Sequence, residues 1–434
     1  MEKVFLNNKQ FDRSTLPKVS VIDAPCGTGK TTSIQAEINS NDDPVVFCTP
    51  FIEEIQRTAN ECSKVISTVI LKEERDKTTG GTVVIDVFSK YHKENKLDFV
   101  KGLLSQGKSV SISHELFKLL DEDCYRYIQQ YGYKLYLDEV VNSVEVMNIK
   151  PSDIRHLLEV KAMTTLADTK EILWLEEEYD GAFNQLKKAS KAGDVYLTDI
   201  SDKKQLIVWE LSICKFIFFK EVTLLTYLFE GSELSCFFKI NRVPYTLYSM
   251  KNHKIVPYDK FTENREALKD KIAIYNGKAN KNFNGTLSAT YYNDKKNKEE
   301  IAQLKKNAES YFKNTLKAYN TTIMWACYKN DINKLKFKRC TSNNYVPFNS
   351  RATNKYDDRT NLAYMINVFC EPDIMQYFNS YGVTLDQDLF AVSTLIQWLC
   401  RSAVRRTDFT GKVNLYLPSQ RMRDLLDKFF NYEI

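Results

Sequence analysis

The chain has 434 residues, of which 43% are hydrophobic and 27% are charged, and its formal net charge is +5. This length exceeds that of one ordinary hydrophobic core and predicts two or three domains, while the balance of apolar and charged residues is typical of a globular protein. A charge this mild does not indicate a uniformly basic surface, so any groove for nucleic acid must be a local patch.

The composition also argues against two further classes of protein. No apolar run reaches the roughly 18 residues needed to cross a bilayer, and the N-terminus MEKVFLNNKQFDRS lacks a signal-peptide core. Ten cysteines are scattered singly, with no C-x-x-C pair and no cluster with the four histidines, which disfavours a zinc site or a disulfide framework. We therefore expect no membrane partner and a cytoplasmic location. The abundance of Lys, Asn and Tyr suggests an A+T-rich, phage-like genome, for which this would be the cytoplasm of a bacterial host.

The first predicted element is a strand over Val19–Asp23, followed by a short turn and the helix-forming run SIQAEIN. Gly27 and Gly29 let the turn adopt positive φ, so that its N–H groups can wrap phosphates. Lys30 would reach the β- and γ-phosphates, and the hydroxyl of Thr31 would ligate Mg²⁺. ATP and Mg²⁺ are therefore the predicted ligands. The residues expected at the nucleotide are Ala24, Pro25, Cys26, Gly27, Thr28, Gly29, Lys30, Thr31 and Thr32.

Two strand-and-helix units follow, DPVVFCTPFIEEIQRTA and GKSVSISHELFKLL. The first strand ends at Thr49, and the second ends at Ser113 and His114. Small hydroxyl residues at such strand ends could contact the phosphates of a bound nucleic-acid strand. The same residues also serve as plain caps, and both interpretations stay open.

The stretch YGYKLYLDEVVNSVE supplies a pair of acids. Tyr133–Leu137 is predicted as a strand, and Asp138 and Glu139 follow at its carboxyl end, where ligands gather in open α/β sheets. A phosphate loop needs one acid to hold Mg²⁺ and another to orient the attacking water. We assign Asp138 to the metal and Glu139, as a catalytic residue, to the water.

The segments APCGTGKT, VVFCTP, SISHE and YLDEV, in this order and spacing, resemble motifs I, Ia, Ib and II of superfamily 2 helicases. The resemblance covers the first RecA-like domain through about Val141. It implies an α/β fold with two RecA-like P-loop domains, each with a mostly parallel sheet, and hydrolysis of ATP between them. It also implies single-stranded or forked DNA as the partner, contacted at Thr49, Ser113 and His114. The phage-like composition and the spelling DEVV favour DNA over RNA.

In the helicase family, a Ser-Ala-Thr element couples ATP hydrolysis to movement along the nucleic acid. This chain has two candidates for it. In EVTLLTYLFEG, Val222–Leu225 is a predicted strand with Thr226 at its end. The literal match LSAT, Ser288–Thr290, follows the polar stretch NGKANKNFNG, which is a poor buried strand. Strand context favours Thr226 and literal identity favours the second site. If Thr226 is correct, residues 145–215 form a largely helical insertion or an extended helical arm.

The second half begins with TLKAYNTTIMWACYKND, which predicts a helix, a strand and a loop. A further strand-and-loop unit, YVPFNSRATNKYDDRTNLAYMINVF, loosely resembles motif V and implies contacts to nucleic acid from Arg351 and Thr353.

Near the C-terminus, Gln397, Arg401 and Arg405 are spaced four apart, which predicts one face of a helix. The stretch resembles motif VI, and an arginine supplied across a cleft would neutralise charge on the γ-phosphate. These three are the remaining predicted catalytic residues. The family's second arginine falls seven residues after the glutamine, where this chain has Val404, so either Arg405 or Arg406 could take its place.

These elements predict four segments. They are a first RecA-like domain (1–144), the insertion (145–215), the rest of the first domain (216–250) and a second RecA-like domain (251–434). The predicted function is an ATP-dependent DNA helicase or translocase that moves along single-stranded DNA in phage replication or recombination, with other replication proteins as further partners. Two alternatives stay open: an ATPase clamp or loader that does not unwind DNA, and a terminase-like packaging motor.

Overall fold

A computed structural model describes the protein over residues 16–75, 82–201, 204–281, 285–349 and 355–434. In these ranges the strands, in chain order, are β1 (Val19–Asp23), β2 (Val45–Thr49), β3 (Val65–Ser67), β4 (Leu71–Arg75), β5 (Thr82–Asp86), β6 (Ser109–Ser113), β7 (Lys134–Asp138), β8 (Val144–Met147), β9 (Met163–Thr165), β10 (Ile172–Trp174), β11 (Val195–Ser201), β12 (Lys204–Glu210), β13 (Glu221–Thr226), β14 (Tyr245–Lys251), β15 (Lys254–Pro257), β16 (Ile272–Ile274), β17 (Ile323–Ala326), β18 (Asn361–Tyr364) and β19 (Val413–Tyr416). The α-helices are α1 (Lys30–Ser40), α2 (Ile52–Glu61), α3 (Phe88–Tyr91), α4 (Lys96–Leu104), α5 (His114–Leu119), α6 (Glu122–Tyr131), α7 (Pro151–Glu159), α8 (Asn184–Ala192), α9 (Glu233–Ile240), α10 (Arg265–Asp270), α11 (Lys278–Lys281), α12 (Ala289–Asn293), α13 (Lys298–Ser310), α14 (Ile332–Leu335), α15 (Pro372–Ser380), α16 (Gln387–Leu399) and α17 (Gln420–Phe430).

The largest sheet has eight strands in the order β15-β14-β1-β13-β7-β2-β6-β3. Every neighbouring pair is parallel except the hairpin β14–β15. Strands such as VVFCT in β2 and KLYLD in β7 are buried along their whole length, as expected of parallel strands covered on both faces. The strands predicted around residues 19–23, 45–49, 109–113, 134–138 and 222–225 are confirmed.

The order of the strands gathers distant parts of the chain at one edge. Because β1, β13, β7, β2 and β6 are parallel neighbours, their carboxyl ends lie side by side. These ends carry, in that order, Asp23, Thr226, Asp138, Thr49 and Ser113.

A second sheet of four parallel strands, in the order β16-β19-β18-β17, lies in the C-terminal half. The strands predicted in TTIMWA and VNLYLP are confirmed as β17 and β19. The part built on the eight-stranded sheet is called the large-sheet unit below, and the part built on the four-stranded sheet is called the small-sheet unit. Because β15 pairs with β14, the large sheet extends to Pro257, beyond the predicted boundary at residue 250.

The predicted largely helical insertion is wrong. The described residues between 144 and 210 form five strands and two α-helices, and β11, β12 and β8 form an antiparallel sheet. Tertiary packing overrides the helix propensity of the many lysines and glutamates in this region. Val195, Leu197 and Ile207 of β11 and β12 pack in a small separate core, while Leu206 and Val208 of β12 join the core of the large sheet.

The two units share buried surface. Helix α15 follows β18 in the chain, yet Tyr377 and Phe378 belong to the core of the large-sheet unit. In the opposite direction, Tyr227 and Leu228, directly after β13, belong to the core of the small-sheet unit. Within the described ranges, no helix combines the length and apolar character that a bilayer span requires.

Candidate functional site

The turn between β1 and α1 has the backbone of a phosphate-binding loop. Gly27 and Gly29 lie at φ of 83° and 86°, values that strongly favour glycine. Helix α1 begins at Lys30, so its free N–H groups face the loop and favour an anion there. The Lys30 ammonium donates hydrogen bonds to the carbonyls of Ala24 and, at 3.0 Å, of Pro25. The loop thus holds a cation inside its own curve.

Asp138 lies beside this loop at the end of β7. Its carboxylate accepts from the Thr31 hydroxyl at 3.5 Å and from the Thr49 hydroxyl at 3.2 Å. The side chain is 8% exposed, and burial, with the charges of Glu139 and Glu54, raises its pKa to about 7. Near neutral pH this carboxyl is only partly ionised, and a cation bound beside it would favour its charged form.

Thr49 and His114, which the sequence predicts to contact nucleic acid, are both buried in this structure. Thr49 is fully buried and donates to Asp138, and the Nε2 atom of His114 lies 3.1 Å from the Asp138 carbonyl oxygen. The Thr49 and His114 side chains therefore both help to position Asp138. Ser113 accepts from the Leu116 N–H at 3.1 Å and caps α5, which is the plain cap interpretation. Arg351 and Thr353 lie outside the described residues.

The structure separates the two candidates for the coupling threonine. Thr226 ends β13, paired with Asp23 on one side, while Leu225 beside it pairs with Asp138 on the other. Ser288 instead caps α12 in the small-sheet unit by accepting from the Tyr291 N–H at 3.2 Å. Only Thr226 lies at the edge that carries the loop.

Two further acids organise this edge. Glu139 follows Asp138 at φ 67°, and its N–H donates to the Leu225 carbonyl at 2.8 Å, so the chain turns sharply at the strand end. Asp23 accepts from the N–H groups of Leu228 and Phe229 at 2.6 and 3.0 Å. Burial raises the pKa of Asp23 to about 6, although these bonds oppose the shift.

The prediction that Gln397, Arg401 and Arg405 share one helical face is wrong. Helix α16 ends at Leu399, and Arg405 closes a separate 3₁₀ turn, Ala403–Arg405. The Ser402 hydroxyl donates to the Leu399 carbonyl and accepts from the Val404 N–H, which ends the helix and begins the turn.

Both arginines nevertheless face the phosphate loop. Arg401 is 4% exposed, and its Nε has no hydrogen-bond partner among the described residues. Burial lowers the pKa of Arg401, while the charges of Cys26 and Glu139 oppose that shift. A Cβ on Gly27 would lie 3.8 Å from the Arg405 side chain.

The remaining residues of the C-terminal cluster have other partners. Arg406 is exposed and pairs with Asp408, so Arg405 is the second arginine at the loop. Gln397 donates to the Tyr227 carbonyl at 3.4 Å, directly after Thr226.

Three features at the loop were not predicted. A cleft of ≈ 170 Å³ lies between it and the small-sheet unit, lined by Pro25, Cys26, Cys400, Val404 and Arg405 among others. A hydrogen bond between the thiols lowers the pKa of Cys26 and raises that of Cys400. The apolar character of both cysteines gave no signal of this pairing.

The third feature is His253, at the tip of the β14–β15 hairpin. A Cβ on Gly29 would lie 2.4 Å from its Nδ1, so the imidazole rests on the loop. One sequence signal could have found this residue. Asn252-His253 stands between two strands, where hairpin turns favour Asn-Gly, so a histidine in the place of glycine is unusual.

These residues fit a nucleoside triphosphate and Mg²⁺. Positive φ at two glycines, a lysine inside the loop and the start of α1 suit a polyphosphate. Thr31 and Asp138, 3.5 Å apart, are both oxygen donors, as Mg²⁺ prefers, and such a site leaves most of the coordination to phosphate and water.

By fold and site, the chain is a mixed α/β protein with a large, mostly parallel sheet and a glycine-containing loop at its carboxyl edge. Residues 266–430 match the model of the YonV C-terminal Rossmann-like domain. Over 433 residues the chain is 31% identical to the SPbeta prophage-derived uncharacterized protein YonV of Bacillus subtilis (strain 168), covering 95% of this chain and 98% of that protein. The chain therefore belongs to the YonV family.

Proposed function

We propose that this protein hydrolyses ATP between the two units, with the large-sheet unit holding the phosphates and the small-sheet unit supplying arginine. The observation that carries the proposal is Arg401, a buried guanidinium whose Nε has no partner among the described residues. It directly follows Cys400, which lines the same cleft as Cys26 of the loop. A cation buried without such a partner is costly, and an anion beside the loop would offset that cost.

The roles of the large-sheet residues follow from their chemistry. Lys30 exchanges its bonds to the loop carbonyls for bonds to the β- and γ-phosphates, and the N–H groups at the start of α1 bind them as well. Thr31 and Asp138 would hold Mg²⁺, which neutralises phosphate charge when bound. Glu139, held at a sharp bend, orients the attacking water.

The roles proposed for the small-sheet residues concern charge and coupling. Arg401 and Arg405 neutralise charge that develops on the γ-phosphate. Gln397 links the two arginines to the end of β13 through its hydrogen bond to the Tyr227 carbonyl. A shift of Thr226 is therefore coupled to a shift of the arginines.

We further propose that the units act as two RecA-like lobes of a translocase that moves along single-stranded DNA. The motif resemblance and the adjacency of β1, β13, β7, β2 and β6 support this reading. Because Thr49 and His114 are engaged with Asp138, the strand would contact the lobes through other residues. The relative from a prophage is consistent with a role in phage DNA metabolism.

A second candidate, an ATP-switched clamp or loader, is favoured by one observation. Helix α15 contributes Tyr377 and Phe378 to the core of the large-sheet unit. A buried connection of this kind limits how far the units can separate, which suits a switch with small movements better than a long-stepping motor.

The test is ATP hydrolysis by the full chain, measured with and without single-stranded DNA. We expect activity that DNA stimulates, and a loss on the order of 100-fold or more in Lys30→Ala because the phosphate contact is removed. Lys18→Ala, which changes an exposed lysine just before β1, is the matched control and should keep full activity.

The outcomes separate the candidates. Hydrolysis that Lys30→Ala abolishes but no nucleic acid stimulates would favour the clamp. No nucleotide binding by the unaltered chain would sink both candidates.

A further inference from the structure

We propose that the tip of the β14–β15 hairpin, residues 251–254, is a second wall of the nucleotide site and binds the phosphates of the bound nucleotide. This inference rests on the proposed nucleotide site and adds the chain segment that closes it. The tip reads Lys-Asn-His-Lys, and all four residues are exposed.

The position of the tip follows from the sheet. Strand β14 is the parallel neighbour of β1, with Ile22 opposite Tyr248. Strand β14 continues for three residues beyond that pair, so the hairpin turns at the edge where the phosphate loop lies. His253 then rests on Gly29, where even a Cβ would lie 2.4 Å from Nδ1.

The conformation of the turn is costly for the residues that form it. Asn252 and His253 lie at φ of 50° and 61°, the left-handed region in which two-residue hairpin turns favour Asn-Gly. Asparagine tolerates this region, but a histidine there costs on the order of the 1–2 kcal/mol that left-handed backbone costs any residue with a Cβ. An imidazole at this position therefore gives the backbone of the hairpin no advantage. Its evident effect is to bring a ring nitrogen to the phosphate loop.

The charges of the tip give a second, independent argument. Lys251 and Lys254 are direct cross-strand partners, and like charges in that position repel. Neither lysine forms an ion pair with an acid in the part of the chain that the structure describes. An anion bound between the tip and the loop would relieve this repulsion.

The class of ligand follows from what the tip contacts. Gly29 precedes Lys30 at the start of α1, where the helix N–H groups and dipole favour an anion. Phosphates held there would have the loop on one side and His253, Lys251 and Lys254 on the other. The same chemistry could bind the backbone of DNA, and the position on Gly29 favours the nucleotide.

The experiment measures binding of ATP, adenosine and a short single-stranded oligonucleotide to the full chain by calorimetry. His253→Gly removes the imidazole and gives the turn its preferred residue, so the melting temperature should stay equal or rise. The double change Lys251→Ala with Lys254→Ala removes the charge. Lys295→Ala with Lys296→Ala, two exposed lysines in a turn of the small-sheet unit, is the matched control.

We expect each tip variant to bind ATP about tenfold more weakly than the unaltered chain, with the control unchanged. Binding of adenosine and of the oligonucleotide should not change, and the effect of the lysine variant should shrink in high salt.

Equal or tighter ATP binding by both tip variants would overturn the inference, and so would weakening of oligonucleotide binding alone. Failure of the proposed function is a separate result. If the proposed function is wrong, the unaltered chain binds no ATP. If only the inference about the hairpin tip is wrong, the unaltered chain and the tip variants bind ATP equally, and Lys30→Ala abolishes that binding.

Discussion

Asp138 combines burial with a raised pKa, and this gives the nucleotide-free protein a defined dependence on pH. Its pKa is about 7 in the folded chain and about 3.9 when unfolded, so the folded state binds more protons between these values. The free energy of unfolding therefore falls as pH rises from about 4 to 7.

Asp138→Asn should remove this dependence because the amide cannot ionise. We expect the variant to gain stability over the unaltered protein as pH rises, by on the order of 2 kcal/mol between pH 5 and pH 8. Urea unfolding at the two pH values measures the gap. Asp42→Asn, at an exposed acid, is the control, and a gap for Asp138→Asn that stays constant with pH would contradict the assignment.

At this scale the sequence predicted positions better than roles. Short apolar runs and the polar residues at their ends located Thr49, Asp138 and Thr226 at one edge, and the structure confirms that placement. The sequence could not tell whether Thr49 faces a bound strand or the acid, because both tasks require the same small hydroxyl. His253 was missed because its neighbour Gly29 is more than 200 residues away in the chain.

Among the elements, the contact between the 3₁₀ turn Phe229–Gly231 and helix α16 joins the two units most closely. A Cβ on Gly231 would lie 2.8 Å from the Leu389 carbonyl carbon, which is backbone and cannot move aside. Both segments flank the proposed catalytic cluster, since the turn follows Thr226 and the helix carries Gln397.

Gly231→Ala should therefore force the units apart and destabilise the protein by about 1–3 kcal/mol, the usual cost of overpacking. Thermal unfolding measures the change. Gly102→Ala in α4 is the control, because nothing lies within 4 Å of its added methyl group, and it should be neutral or stabilising. Equal melting temperatures for the two variants would contradict this prediction, because they would show that the contact between Gly231 and Leu389 accommodates the methyl group without destabilising the protein.

The elements also show where sequence patterns mislead. The four-residue spacing of Gln397, Arg401 and Arg405 predicted one continuous helix. Such a spacing does not show where a helix ends, and in the structure the hydroxyl of Ser402 caps the end of α16. The insertion was misread because its charged residues outweighed the β-type run in β12. Parallel strands were predicted well because each is a short apolar run between polar turns.

At the scale of the whole molecule, α15 makes the two units interdependent. Phe378 is fully buried in the large-sheet core, although its neighbours in sequence belong to the C-terminal half. Lys204, at the start of β12, also pairs with Asp373 on this helix at 2.6 Å. We therefore expect both sheets to unfold in one transition.

Phe378→Ala should lower the free energy of unfolding by about 3–5 kcal/mol, because it leaves a cavity in that core. Hydrogen exchange should report the same loss for amides of β2 and β7 as for amides of β17 and β18. Tyr319→Ala, at a residue that is 76% exposed, is the control. Loss of protection in only one sheet would contradict the shared core.

The position of β1 has a consequence for the order in which this protein is made. Among the described residues its strand neighbours are β13 and β14, which begin at Glu221 and Tyr245. A nascent chain thus carries the residues of the phosphate loop for some two hundred positions before any partner strand leaves the ribosome. Until then VSVID is an unpaired apolar segment, so the need for chaperone protection is greatest during synthesis of the insertion.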